Sequence, residues 1–388
     1  TYQNKPAALG ELVRPAPDGA WSISHSELES FLRCPFKHFA QYGLGLRAAL
    51  GPKPLHMDLG SAAHAMLAGV YRRVIDAKCD VRAMSDAQWL EDFERVADEY
   101  IDAHMSDWLK FRAEDAFRVR LLKTFAAEVV LAHADRYRRG IMTPIVVERV
   151  FRDGAGPHAW PAVELSIAGK KKIHLHGIID RVDCCEIDGV SYWLVYDYKS
   201  STGDTIRNYL VGYPLQLFTY LLAVRTPDAA AAVKPGGVLI APLYPALGAP
   251  KPKYAQNADA CKQRMYLYRP RGMFDHAVAA ALEQAPSGTP SPVANIRVTN
   301  KGEFYKNSDT GNEFLIEAYL DVARQTIAQA AEGLLKGCID ISPLVEEHTL
   351  ACTRCDFRAL CRFENELPAM RNTARHLPQL SAADGDKK

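Results

Sequence analysis

No apolar run in this chain approaches eighteen residues, so no membrane span is expected. No stretch reads as a secretory signal. No G-x-x-x-x-G-K-[ST] loop is present, which excludes a recognisable ATP motor within these residues. No internal repeat is found. Net charge is almost absent, because Lys+Arg 47 against Asp+Glu 46 leaves +1. A globally basic nucleic-acid binder is excluded, though a local basic groove is not. What is there is 388 residues, 48% hydrophobic and 24% charged. That is globular composition with ample material for one large domain or two medium ones. The first residue is Thr1 rather than Met, which leaves two expectations open, a piece of a longer protein or a chain that works alone. Nine cysteines, an odd number without a secretory signal, argue against a disulfide framework. They favour a reducing compartment, here expected to be the cytoplasm.

Residues 1–21 contain Pro and Gly and read as an N-terminal arm. Ser24 and Glu27 have capping-box spacing ahead of Leu28, Phe31 and Leu32, and that helix should end near Cys34-Pro35. Gly60-Ser61 is expected to open a second helix, with His64 in its first turn. Residues 85–140 read as helical with a charge split. Eight acids and one base, Arg95, fall between Asp86 and Asp107, and eight bases against four acids between Trp108 and Gly140. The second half could line a polyanion path or be a solvated helix face. Strands are expected over 145–151, 162–167, 172–184, 190–199 and 237–243. Pro214 should open a helix running through Leu222. Residues 245–312 read as loop. A long helix with Ile316, Leu320, Ala323, Ile327, Ala330 and Leu334 on one stripe should end at Gly337. The polar tail, 365–388, is expected to be loose.

The segment from His174 to Lys199 carries the most information. Asp188-Gly189 is a two-residue hairpin signal between two strand-like runs. A turn there pairs Ile187 with Val190, and the same register sets Asp180 opposite Asp197, roughly 4.5–5.5 Å apart at Cα. Lys199 lies two residues beyond Asp197 and shares its face. Opposed like charges destabilise a sheet. A divalent cation between them reverses the sign, and Mg²⁺ is typically held by one or two carboxylates plus water and phosphate. A neighbouring lysine can position a water and neutralise phosphate charge. A solvated Asp–Lys–Asp edge is the plainer reading of the same spacing. Gln216 and Tyr220, four apart, share a helix face, with Gln216 in the first turn, where free N–H groups favour a phosphate.

Cys352-x2-Cys355-x5-Cys361 is a metal-ligand spacing with three thiols. His348 as the fourth ligand would make a zinc site. Cys34 would give four thiolates, as in an iron–sulphur cluster. A metal reaching back to Cys34 closes a loop of roughly three hundred residues, a closure entropy on the order of 5 kcal/mol. The remaining cysteines read as small buried hydrophobes.

Taken in order, these pieces resemble one family. They are S-I-S-H-S-E-L-E-S-F-L-R-C-P-F-K-H-F around Cys34, L-G-S-A-A-H around His64, H-G-I-I-D-R-V-D around Asp180, D-Y-K-S-S from Asp197, Q-L-F-T-Y from Gln216, and A-C-T-R-C-D-F-R-A-L-C-R-F at the end. From Ser22 to Glu364 the chain resembles the iron–sulphur nuclease domain of the RecB-like branch of the PD-(D/E)XK superfamily. It is especially similar to the C-terminal domain of AddB-type helicase–nuclease subunits, and more distantly to small CRISPR-associated iron–sulphur exonucleases. The resemblance implies an α/β fold, a restriction-endonuclease-like core with a mixed central β-sheet flanked by helices. Residues 22–364 would form a single nuclease domain with a helical insertion at 75–140 and an iron–sulphur segment at 340–364 as a terminal [4Fe–4S] staple.

The same resemblance implies roles residue by residue. Asp180 and Asp197 match metal-binding acids, Lys199 the catalytic lysine, and His64 a histidine that helps hold Mg²⁺ or Mn²⁺, with the Tyr198 carbonyl as a further ligand. Gln216 and Tyr220 match a motif near the substrate strand. Cys34, Cys352, Cys355 and Cys361 match the ligands of a [4Fe–4S] cluster. The expected function is a metal-dependent deoxyribonuclease, an exonuclease acting on DNA in double-strand-break processing beside a helicase motor, with no membrane partner. The likeness suggests attack on 5′-ended strands. The alternatives are a non-catalytic nuclease-like module that holds DNA, and a zinc-stabilised scaffold without a nucleic-acid role.

Overall fold

The computed structural model describes residues 21–47, 55–105, 113–167, 171–200, 215–225, 233–245, 259–282, 287–346, 349–363 and 371–372. Residues 1–20, Pro214 and most of 365–388 lie outside these, so nearly all of the arm, the opening residue of the helix expected from Pro214 and most of the tail do too; the rest of that helix is present over Gln216–Val224. Within the tail, Arg371–Asn372 forms a two-residue strand parallel to Leu344–Val345.

The framework is the strand pair β4 (Lys171–Ile187) and β5 (Val190–Lys199). Asp188 and Gly189 both have positive φ, 52° and 76°, which makes the tight turn whose twist matches the strands. The register therefore holds as expected, from Ile187↔Val190 to Arg181↔Tyr196. β1 (Trp21–Ser24) runs parallel to β4, while β2 (Thr143–Phe151) and β3 (Val163–Ile167) pair with it antiparallel. β5 reaches its parallel neighbour β6 (Val233–Pro242) by a crossover that contains a helix. β7 (Arg271–Asp275) and β8 (Thr310–Gly311) complete a mixed eight-stranded sheet.

Helices cover both faces. Met66, Leu67 and Tyr71 of α3 (Leu55–Asp76), Trp89 and Phe93 of α4 (Asp86–His104), and Val129 and Val130 of α5 (Ala113–Arg139) pack with Leu194, Tyr196 and Tyr198 of β5. On the other face, α1 (His25–Arg33), α6 (Gln216–Val224) and α9 (Glu313–Leu335) bury Leu28, Leu217, Phe218, Ile316, Leu320 and Ile327 against Val182 and Val195. The α9 stripe is the one its 3.6-residue period predicts, and Gly337 follows with φ 67°. A fully buried sheet of this kind explains the near-continuous apolar runs in β5 and β6. Among the described residues no helix is long and apolar enough to cross a membrane.

Four expectations change. Ser24 caps α1 by accepting the Glu27 N–H at 3.1 Å, but the Glu27 carboxylate turns to His38 Nε2 at 3.0 Å, so only half of the box forms. α3 starts at Leu55, not Gly60, which puts His64 in its interior; the helix absorbs a glycine at a cost of about 1 kcal/mol. Residues 245–312 hold α7 (Ala260–Leu267), β7, α8 (His276–Ala281) and β8. These elements are too short for a periodic signal, and α7 rests on Asp259 accepting the Lys262 N–H at 2.8 Å. Among the described residues, several bases of the α4–α5 pair are engaged within the fold: Lys123 meets Asp98 at 2.6 Å, Arg138 meets Asp86 at 2.7 Å, and buried Arg136 donates to three backbone carbonyls. Those three are turned inward rather than offered to a polyanion, while Lys110 and Arg112 lie outside the described residues.

Candidate active site

Continuing the hairpin register one pair beyond Arg181↔Tyr196 sets Asp180 against Asp197, and the ladder stops there. The Tyr198 N–H instead donates to Asp180 Oδ2 at 2.9 Å. Asp197 is fully buried and Asp180 nearly so. Burial pushes the Asp197 carboxyl up to about 7; Lys199 opposes this and Asp180 reinforces it. Lys199 Nζ donates to Asp197 Oδ1 at 3.1 Å and lies 2.9 Å from Oδ2, an oxygen with no well-aligned hydrogen bond among the described residues. The ammonium also donates to Gln216 Oε1 at 2.9 Å, and Gln216 Nε2 donates to the Tyr220 hydroxyl at 2.8 Å. Lys199, Gln216 and Tyr220 thus form one chain leading from Asp197.

Gln216 opens α6, but the N–H groups of Leu215 and Gln216 are not free for a phosphate. Glu29 Oε1 of α1 accepts both, at 2.7 and 3.2 Å. Burial pushes the Glu29 carboxyl up, and these two donors pull it back.

His64 reaches the acids from α3. Its Nε2–H donates to the Tyr198 carbonyl at 3.1 Å, the carbonyl expected to be a metal ligand. With that proton committed, Nδ1 presents a lone pair 3.4 Å from Asp180 Oδ2. Two acceptors facing each other call for a proton or a metal between them. Burial lowers the His64 pKa, but Asp180, Asp197 and Glu148 outweigh it and raise it.

Glu148 was not expected. It sits on β2, across from Asp180, with φ at 46°, rare for a non-glycine residue. Such strain, of order 1–3 kcal/mol, clusters at functional sites. Ligand atoms of His64, Glu148 and Asp180 all lie within 4.8 Å of one another. Burial and Asp180 push the Glu148 carboxyl up. Three carboxylates, Glu148, Asp180 and Asp197, are therefore gathered here, with Lys199 against Asp197 and the Arg72 charge acting on Glu148. This donor set, oxygen-rich with one imidazole, fits a hard divalent cation.

The four motif cysteines also converge. Cys34 ends α1 in an extended conformation, and the Phe36 N–H donates to the Asp340 carbonyl at 3.1 Å, joining this corner to the far end of the chain. Cys352 lies within a 3-10 turn (Ala351–Arg354) that Cys355 follows, and Cys361 ends α10 (Arg358–Cys361). Burial, together with Cys34, Cys355 and Cys361, pushes the Cys352 thiol up to about 11. Thiols that destabilise one another's charge in this way are what a polythiolate metal site would relieve. His348 lies outside the described residues.

The match to a family model puts these features in context: the PD-(D/E)XK nuclease superfamily model covers residues 22–362, and the chain belongs to that superfamily. Among curated proteins it is similar to an ATP-dependent helicase/deoxyribonuclease subunit from Desulforamulus reducens, 29% identical over 353 residues, covering 88% of this chain and 30% of that protein. The protein of the same name from Desulfitobacterium hafniense is 27% identical, covering 92% of this chain and 31% of the relative. Its namesake from Oceanobacillus iheyensis is 24% identical, with 94% and 32% covered. The chain therefore spans a little under a third of the curated relatives it matches.

Proposed function

We propose that the chain hydrolyses DNA phosphodiester bonds with Mg²⁺ or Mn²⁺, as an exonuclease processing broken ends beside a helicase motor. The observation that carries this reading is the convergence of His64, Glu148 and Asp180 beside the Asp197–Lys199 pair. His64, Glu148, Asp180 and Asp197 would hold the cation. When bound, it supplies charge stabilisation at the phosphate and a more acidic water. Asp197 orients the Lys199 ammonium, and Gln216 fixes it from the other side. Lys199 is then placed to hold the attacking water and offset charge on phosphate oxygens. Tyr220 positions Gln216. The names of the relatives support the DNA substrate and the motor partner.

We further read residues 22–364 as one domain, with Cys34, Cys352, Cys355 and Cys361 as ligands of a [4Fe–4S] cluster. The cluster would be structural, because the thiols belong to the corner that joins the two ends of the domain. The test is digestion of end-labelled single-stranded DNA with Mg²⁺ or Mn²⁺, using anaerobically prepared protein. Cleavage by wild type and not by Lys199→Ala is the expected result, and the label reports polarity. Equal cleavage by both would sink the assignment. No cleavage by either, with the protein brown and folded, would turn the reading to a DNA-holding module. A colourless protein containing zinc would remove the iron–sulphur assignment.

A further inference from the structure

A groove of about 580 Å³ runs alongside the acids, walled by Ser24 at the end of β1, by His25 and Ser26 of α1, by Arg152, and by His176 to Ile178 of β4, with Asp180 and Tyr220 also in its walls. Two other hollows, of about 580 and 480 Å³, also have Glu148 in their walls. Glu148 stands in the walls of all three, and Asp180 in the first. A nucleic-acid strand laid along these hollows meets the Glu148 and Asp180 carboxylates, with Asp197 buried behind them. Lys199, the nearest ammonium, is already engaged by Asp197. Phosphates flanking the acids are repelled unless cations stand beside them.

Arg72 is one such cation, in the walls of the two other hollows, and Arg152 is the one in the groove beside Asp180. It is exposed at the groove, and its Nη2 donates to His176 Nε2 at 3.3 Å. His176 Nδ1–H in turn donates to Ser22 Oγ at 3.0 Å. Burial and the Arg152 charge hold His176 below its ordinary pKa, so it acts as a neutral acceptor. Other arginines of the fold, such as Arg138, Arg225 and Arg271, each sit against a carboxylate. Among the described residues Arg152 has no such partner. An arginine steered by a neutral imidazole keeps its full charge and most of its donor fork for something outside the fold. The planar fork suits a phosphate.

We infer that Arg152, oriented by His176 and Ser22, holds a phosphodiester of the substrate strand next to the one positioned at the acids. This rests on the nuclease reading for the substrate, but its test does not need cleavage. Binding of a labelled single-stranded oligonucleotide is followed by fluorescence anisotropy in chelator, across a salt series. Arg152→Ala is expected to weaken binding several-fold and to reduce the slope of log K against log salt by about 0.7, the value for one lost phosphate contact on single strands. Arg152→Lys should restore the slope and only part of the affinity. Arg225→Ala, which removes an exposed arginine paired with Glu317, should change neither. A wild-type slope in Arg152→Ala overturns the inference, as does wild type that fails to bind DNA. Arg152-dependent binding of inorganic phosphate with an unchanged DNA slope would mark a free-ion site and also overturn it. Wild type that shows the Arg152-dependent slope but never cleaves supports the subsite and removes the hydrolase reading.

Discussion

The two faces of the β4–β5 hairpin each carry a charged cluster, built from alternate residues of the same strands. On one face stand Asp180, Asp197 and Lys199. On the other, Arg181 lies 2.9 Å from Asp183, donates to the Tyr198 hydroxyl at 2.5 Å and reaches His133 Nδ1 at 2.9 Å. Its guanidinium lies over the Tyr196 ring at 3.9 Å, with Tyr71 close by. Arg181 and Asp183 are sealed from solvent, at 1% and 0% exposure. The sealed pair balances one charge with one charge. The open cluster sets three carboxylates, Glu148 included, against the Lys199 ammonium and the Arg72 guanidinium. A buried pair is weak as a source of stability but costly to break. An unbalanced cluster is a standing electrostatic cost that a cation can relieve. Excess charge, rather than charge itself, separates the two faces.

Substitutions on the two faces should therefore fail in opposite ways. The largest effect is expected from Asp180→Asn or Lys199→Ala, each losing at least about 10³-fold in cleavage. Asp180→Asn should keep or raise the midpoint of thermal unfolding in chelator, since a like charge has gone. A large loss of stability there would break the comparison. Arg181→Met should do the reverse, costing about 3–5 kcal/mol in urea unfolding by stranding Asp183. Replacing both, Arg181→Met with Asp183→Leu, should recover most of it.

A pH series sharpens the contrast further. Folding raises Asp197 above its ordinary carboxylate value to about 7, so the folded chain prefers its protonated form. That contribution is complete below the unfolded pKa and is lost as pH rises through about 7. Metal-free protein should thus become less stable over this range. Metal binding must release the proton, so titration calorimetry should show affinity falling about tenfold per pH unit below 7. Asp197→Asn should flatten the stability profile. The smallest effect is expected from Glu148→Gln, about tenfold in metal affinity.

The hairpin and its acids were legible because one local signal fixes them. Asp188-Gly189 sets the turn, and period two does the rest as far as Lys199. The α9 stripe was legible for the same reason, a long periodic run. Glu148 was not, because β2 reaches β4 only after β3 has intervened in sequence terms, and its register shifts between Pro144 and Val146. An acid among Val146, Val147 and Arg149 looks like any strand residue. The role of Glu29 was hidden too, since its carboxylate caps a helix 186 residues away. Arg181 and Asp183 read as part of a motif, but nothing local showed that Tyr71 and His133 would close over them. Strand β1 was absorbed into the cap of α1, being only four residues long.

The cysteine corner has a consequence for how the protein is made. Cys34 leaves the ribosome some three hundred residues ahead of Cys352, Cys355 and Cys361. A metal assembly that needs all four thiols is closed to delivery machinery until the nascent domain is almost complete. A chain stopped before Cys352 would carry every acid of the open face and still lack its clasp. With the proposed cluster on these four thiols, maturation of the corner would double as a completeness check on synthesis, at a distance from the chemistry it protects.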